Sequence, residues 1–365
     1  MSALVPLRDQ LAALGGYHSL QPAADVRLNT NESPYAPPDA WRRALAEEMG
    51  DVDFHRYPDR DASELCAAIA GIHGTRPEEV FCANGSNEVL QCLLVAFGGA
   101  GRRVLVFEPT YALHAHIAGL TGMEVVIESR GADLRIDPHR WAAALARARP
   151  DVVFLCSPNN PTGRLEDPAL VTAMVDAAPG LVVVDEAYGQ FSSWSALALR
   201  GGGGRGQAPG PGSRAGLVVV RTFSKTWAMA GARLGYLVAD PEVVAGCRAA
   251  ALPYHLSVQT QLAGLLALRY EDEMAERVQR VAEARAQLAD GLSAVDVETW
   301  PSDANFLLFR PRVKDAREVW CALLAEGVLV RDFSARAGLE GCLRVTVGTP
   351  KENDRFLEAL SGALR

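Results

Sequence analysis

The chain has 365 residues, 49% of them apolar and 22% charged, enough for one large globular unit and a smaller one. A net charge of −8 and a pI near 5.5 argue against a general nucleic-acid binder, while leaving room for a local basic pocket that takes a small anion. No apolar run approaches the ~18 residues of a membrane span, and the opening MSALVPLRDQLAALGGY lacks a basic stretch followed by an apolar block, so neither a membrane anchor nor a secretory leader is expected.

Seven scattered cysteines without a CxxC pair fit reduced thiols in a cytoplasmic protein, with no disulfide framework and no metal site. In chain order, VFCA (80–83) reads as a buried strand, SNEVLQCLLVAF (86–97) as a helix, and RVLVF (103–107) and EVVI (124–127) as strands. WAAALARAR (141–149) is expected to be helical, VVFL (152–155) a strand, PALVTAMVDAA (168–178) a helix, and the two LVVV runs at 181–184 and 217–220 strands. This alternation predicts an α/β architecture, a mostly parallel sheet with helices on both faces. Between the last two strands lies GGGGRGQAPGPGS (201–213), whose composition predicts a surface insertion.

Beyond Pro253 the pattern changes. Residues 257–292 read as long helix with a break. NFLLF (305–309), VLVR (328–331) and CLRVTV (342–347) read as strands, with helices near 314–326 and 351–363. The expected organisation is an N-terminal segment (1–40) packing on the small domain or a partner subunit, a large domain (41–255), and a smaller α+β C-terminal domain (256–365).

Ligands of such a sheet bind at the carboxyl ends of its strands, and four short stretches follow strand ends. In CANGSNEVL (82–90), Gly85 allows a turn and Ser86 can cap a helix from Asn87; the exposed N–H groups make either an anion site or an ordinary cap. SPNNPTG (157–163) is a turn in which an Asn side chain can also meet a ligand. In VVVDEAY (182–188), Asp185 ends a valine run, either as the partner of a buried cation or as the cap of the next turn. RTFSKTWAMAGARLGY (221–236) carries Lys225 after a strand among small and apolar residues. Only Lys314 and Lys351 compete with it, both at polar helix starts. Desolvation makes such an amine nucleophilic toward a carbonyl, so Lys225 is the candidate Schiff-base lysine. Together the stretches supply what pyridoxal 5'-phosphate requires: a phosphate cradle, a carboxylate for the pyridinium nitrogen, donors for the ring oxygen and a lysine for the aldehyde.

NPTG, then DEAY, then SK with an arginine eight residues after the lysine, resembles the fold-type I pyridoxal-phosphate aminotransferases. LNTNESPY (28–35), HRYPDRDA (55–62), NGSNEVLQ (84–91), LPYHLS (252–257), PSDANFLLF (301–309) and VLVRD (328–332) are similar to the histidinol-phosphate subgroup. The resemblance covers essentially the whole chain and implies a seven-stranded-type large sheet. By it, Lys225 and Asp185 are catalytic, and Asn160 and Tyr188 bond the ring oxygen. Tyr111 stacks on the ring, while Ser86, Asn87, Ser224 and Arg233 hold the cofactor phosphate, with Thr222 in support. Tyr57 reaches the phosphate of a neighbouring subunit, implying a homodimer with shared sites. Arg344 and Arg331 bind the substrate anion, and Tyr17 and Asn31 lie on the substrate side at the entrance. The implied reaction passes an amino group from L-histidinol phosphate to 2-oxoglutarate, giving imidazole-acetol phosphate and glutamate. An aromatic aminotransferase, a threonine-phosphate-decarboxylase-like lyase and a fold used as a regulatory sensor are the alternatives. The insertion at 201–213 lengthens the interval between Asp185 and Lys225 relative to the family pattern.

Overall fold

A computed structural model describes residues 5–7, 11, 21–200 and 215–365; Tyr17 and the insertion at 201–213 lie outside the described residues. The valine-rich runs form one seven-stranded sheet. Its strands are β2 (Val80–Ala83), β3 (Arg103–Glu108), β4 (Glu124–Ser129), β5 (Val152–Cys156), β6 (Leu181–Asp185), β7 (Leu217–Thr222) and β8 (Gly235–Val238), in the spatial order β2-β8-β7-β6-β5-β3-β4. Neighbours from β7 to β4 pair parallel, and β8 is antiparallel to both β7 and β2. Six strands therefore run one way, and their carboxyl ends share one edge. Strand β8, absent from the expected set, is the one that runs against them.

Alternation of side chains explains why these strands read as unbroken apolar runs. Val104, Val106, Phe154, Val183, Val218 and Leu237 pack on one face with Val89, Leu90, Leu93, Ile117 and Val244. Leu105, Phe107, Val153, Val182, Val184 and Val219 pack on the other with Leu145, Val171 and Met174. That second face continues over β2 and β8, where Trp41, Leu65, Ile69, Leu256 and Leu266 cover Val80, Phe223, Tyr236 and Val238.

The second sheet holds β1 (Val26–Leu28), β9 (Val297–Thr299), β10 (Phe306–Pro311), β11 (Val328–Asp332) and β12 (Leu343–Thr346), in the order β1-β11-β12-β10-β9. Strand β1 comes from the start of the chain and adds parallel to β11, while the other pairs are antiparallel. Val281, Leu288, Leu292, Trp320, Leu323, Phe356 and Leu360 close this core. The helix Val258–Ala267 contributes Leu266 to the large-sheet core, and the long helix Glu271–Ser293 carries Met274 in that core and Val281 onward in the other. The packing thus passes from one core to the other along this helix, beyond residue 256.

A buried ion pair fixes the ends of β6 and β7. Glu186, 2% exposed, accepts from Arg221 Nε at 3.1 Å and Nη2 at 2.9 Å, from Ser195 Oγ at 2.7 Å and from the Ala196 N–H at 2.6 Å. Removing one partner of a buried pair costs about 3–5 kcal/mol because a charge is left unpaired. Arg221→Met is expected to lower stability by roughly that amount, and adding Glu186→Leu to recover part of it. Urea-unfolding midpoints at constant slope measure both; a loss below about 1 kcal/mol would mean that solvent compensates Glu186.

Candidate active site

Because six strands point the same way, the loops after β2, β3, β5, β6 and β7 converge. They face the second sheet across a cleft of about 500 Å³. Asn31, Ser86, Asn87, Tyr111, Asn160, Asp185, Tyr188, Thr222, Ser224, Lys225, Arg233, Arg331 and Arg344 all line it. Tyr57 does not; it is 80% exposed and stacks on Tyr254 with ring centroids 4.5 Å apart.

The Lys225 amine donates to the Thr30 carbonyl at 3.0 Å and lies 6.0 Å above the Tyr188 ring. Burial, followed by the nearby positive charge of Arg344, lowers its pKa to about 8; Glu32 opposes the shift and Arg233 adds to it. A sizeable fraction of the amine is therefore neutral in mildly alkaline solution.

Asp185 ends β6 at 2% exposure. Its Oδ1 accepts from the Ala187 N–H at 3.0 Å, and its Oδ2 lies 2.9 Å from Nε2 of His114. His114, fully buried, is stacked on Phe154 with centroids 4.4 Å apart and meets Tyr111 edge-on. An ionised carboxylate only accepts, so Nε2 carries the proton in that pair. The sequence pattern did not single out His114. Its signal is the place it occupies in EPTYALH, one helical turn beyond Tyr111.

An anion cradle lies at the other end of the cleft. Ser86 was expected to cap the helix after β2, but the helix is Gly85–Phe97 with Asn84 at its N-cap, and the Glu88 carboxylate takes the Asn84 N–H at 2.6 Å. Ser86 instead lies in the first turn, lining the cleft. Gly85 has φ +79°, and a Cβ on it would meet the Arg233 guanidinium; one on Gly235 would meet the Ser86 backbone nitrogen. The missing side chains thus let an arginine, a helix N-terminus and the Ser224 hydroxyl, 3.3 Å from Arg233 Nη1, gather around one point.

On the opposite wall Arg331 and Arg344 are directly paired residues of β11 and β12. Both pack near Phe333, its centroid 5.7 Å from the Arg331 guanidinium carbon and 5.4 Å from that of Arg344. Arg344 donates to Asn160 Oδ1 and, at 2.9 Å, to the Asn29 carbonyl. Like charges set side by side in a half-enclosed cleft suit an anion placed between them. Asn31 is 1% exposed, bonded to Tyr188 Oη at 2.9 Å and to Thr346, so it forms part of the floor and not the entrance. Burial raises the Tyr188 phenol to about 12, which keeps it protonated.

The lowered lysine pKa is directly measurable. In cofactor-free protein, reductive methylation of Lys225 by formaldehyde and cyanoborohydride is expected to rise with pH and reach half its limiting rate near pH 8. Peptide mass spectrometry across pH 6–11 reads the profile. A Lys225 curve still climbing steeply at pH 10 would mean that the cleft stabilises its ammonium form.

Residues 24–360 match the family model described as aminotransferase class I and II. The chain is 46% identical over 363 residues to the histidinol-phosphate aminotransferase of Nocardia farcinica, covering 97% of this chain and 90% of that one. It is 45% identical over 365 residues to the histidinol-phosphate aminotransferase of Thermobifida fusca, covering 98% and 95%. The fold is similar, with a TM-score of 0.86 at 23% identity, to the crystal structure of histidinol-phosphate aminotransferase from Sinorhizobium meliloti in complex with pyridoxal-5'-phosphate, covering 100% of this chain and 99% of that one. A half-buried lysine and a buried carboxylate lining one cleft, on a chain matched over nearly its full length, thus place this protein in the class I and II aminotransferase family.

Proposed function

We propose that the chain transfers the amino group of L-histidinol phosphate to 2-oxoglutarate, with pyridoxal 5'-phosphate held at Lys225. One observation carries the reading: the cleft that holds Lys225 is lined by Arg233 beside the Gly85 turn and, from the second sheet, by the paired Arg331 and Arg344, so two groups of arginines are available for two anions. One group suits the cofactor's phosphate and the other the anionic end of a substrate. The names borne by relatives more than 40% identical over nearly the whole chain point to the same chemistry.

The residues fit the cofactor. The cradle at Gly85, Ser86, Ser224 and Arg233 would take its phosphate, with Asn87 and Thr222 in support. Asp185 would take its ring nitrogen, Asn160 and Tyr188 its ring oxygen, and Tyr111 one ring face. When bound, the group supplies an aldehyde for capture of the substrate amine and a ring that accepts electrons from the substrate carbon.

The remaining work belongs to the chain's side chains. Lys225 would hold the cofactor until a substrate amine takes its place, and its freed Nζ would act as the base that takes the proton from the substrate carbon. The Asp185 carboxylate, oriented by His114 and the Ala187 N–H, would pair with the ring nitrogen. Arg331 and Arg344 orient the substrate's phosphate, and in the second half-reaction Arg344 takes a carboxylate of 2-oxoglutarate. We further propose that the enzyme works in the cytoplasm as a homodimer in which the exposed Tyr57 reaches the cofactor phosphate of the partner subunit.

Two measurements test this. Borohydride reduction and peptide mapping should place the cofactor on Lys225; label on Lys314 or Lys351 would overturn the assignment. Values of kcat/KM for histidinol phosphate, histidinol, phenylalanine and glutamate should favour histidinol phosphate among the amines. A hydrogen bond to a charged group is worth about 1.5–3 kcal/mol. Arg331→Ala should therefore lower kcat/KM for histidinol phosphate roughly tenfold or more, and that for glutamate less. A wild type indifferent to the phosphate would instead fit an aminotransferase acting on aromatic amino acids.

A further inference from the structure

The loop 333–342, which joins β11 to β12, contributes Phe333, Ala335 and Arg336 to one wall of the cleft and reaches across to the turn after β3 at two points. Arg336 Nη2 pairs with Glu108 Oε2 at 2.7 Å and donates to the Thr110 carbonyl at 2.9 Å. Gly338, at φ +77°, sits so close that a Cβ there would stand 3.3 Å from Cδ of Pro109. The same Glu108 oxygen accepts from the Thr110 N–H at 3.1 Å. One guanidinium thus gathers both ends of the 108–110 turn, and Tyr111 is the next residue. At its other end the loop begins with Phe333, against which Arg331 and Arg344 pack. Arg336 itself lines the cleft.

We propose that Arg336 is a positioning residue for the reaction: through Glu108 and the Thr110 carbonyl it sets the separation between the wall carrying Tyr111 and the wall carrying Arg331 and Arg344. The inference rests on the reading of the cleft given under Proposed function. A substrate gripped at one end by the arginine pair and reacting at the other beside Lys225 depends on that separation. Displacement of about 1 Å between gripping and reacting groups can cost two orders of magnitude in rate. The ion pair's side chains are 26% and 22% exposed, so solvent screens the pair and its loss should weigh little on overall stability. Its effect should appear in kinetics.

The test compares holoenzymes carrying Arg336→Ala, Glu108→Gln, Arg336→Lys and the exchanged pair Arg336→Glu with Glu108→Arg. The glutamate half-reaction, followed by cofactor absorbance in single turnovers, is the primary readout, since it does not depend on which amine is the natural donor. Each of the first two variants should lower kcat/KM for glutamate roughly ten- to a hundredfold. The loss should lie more in the limiting rate than in KM, with the melting temperature nearly unchanged. Arg336→Lys keeps the charge but loses the forked contact, and should fall between wild type and Arg336→Ala. The exchanged pair should recover a large part of the loss. Wild-type kinetics in Arg336→Ala and Glu108→Gln, an exchanged pair no better than the single variants, or rate losses that track falling melting temperature would each overturn the proposal. A second arm compares histidinol phosphate with histidinol. Absence of preference in the wild type would overturn the substrate reading while the glutamate arm still decides the role of Arg336.

Discussion

A carboxylate 2% exposed at the end of a valine strand has to be balanced, and much of the cleft follows from how Asp185 is balanced. His114 and the Ala187 N–H supply two partners from the protein, and the protonated nitrogen of a bound ring would supply the third. Keeping His114 fully buried requires Phe154 beneath it and a helix start after β3 directly above the sheet edge. That same helix start carries Tyr111 into the cleft. The Lys225 amine experiences the opposite side of the same constraint: the burial that makes Asp185 demanding also makes the ammonium costly, and lowers its pKa.

The large sheet was legible in the sequence because its strands are buried on both faces, so Val182–Val184 and Val218–Val220 read as unbroken apolar runs with no polar alternation. Strand β8 was not legible. It has four residues, opens on Gly235 and follows directly on the lysine loop, so nothing local separates it from that loop. Strand β1 has three residues and exists only because β11 offers an edge. Helices at Asp39–Gly50 and Ser63–His73 were likewise not assigned from the pattern.

The cleft divides the same way. Lys225 and Asp185 were visible because each stands at or just after a strand end, where a ligand edge is expected, whereas Asn160 and Arg233 were assigned through the family resemblance. His114 and Arg336 acquire their roles only from partners 71 and 228 residues away, and no local spacing encodes that. The helix after β2 shows a subtler failure. Ser86 has the chemistry of a cap, yet Gly85 starts the helix earlier, and the hydroxyl is left to line the anion cradle.

The parallel pairing of β1 with β11 has a consequence for how the protein is made. Residues 26–32 carry the Thr30 carbonyl that receives the Lys225 amine, and Asn31 is bonded to Thr346 across a sequence separation of 315 residues. A ribosome delivers that early segment long before its strand partner exists, and the large sheet can assemble in the meantime. The cleft is therefore among the last parts of the molecule to close during synthesis. A chain released short of β11 and β12 would present Lys225 on an otherwise formed sheet with one wall missing, a state that cellular quality control has reason to remove.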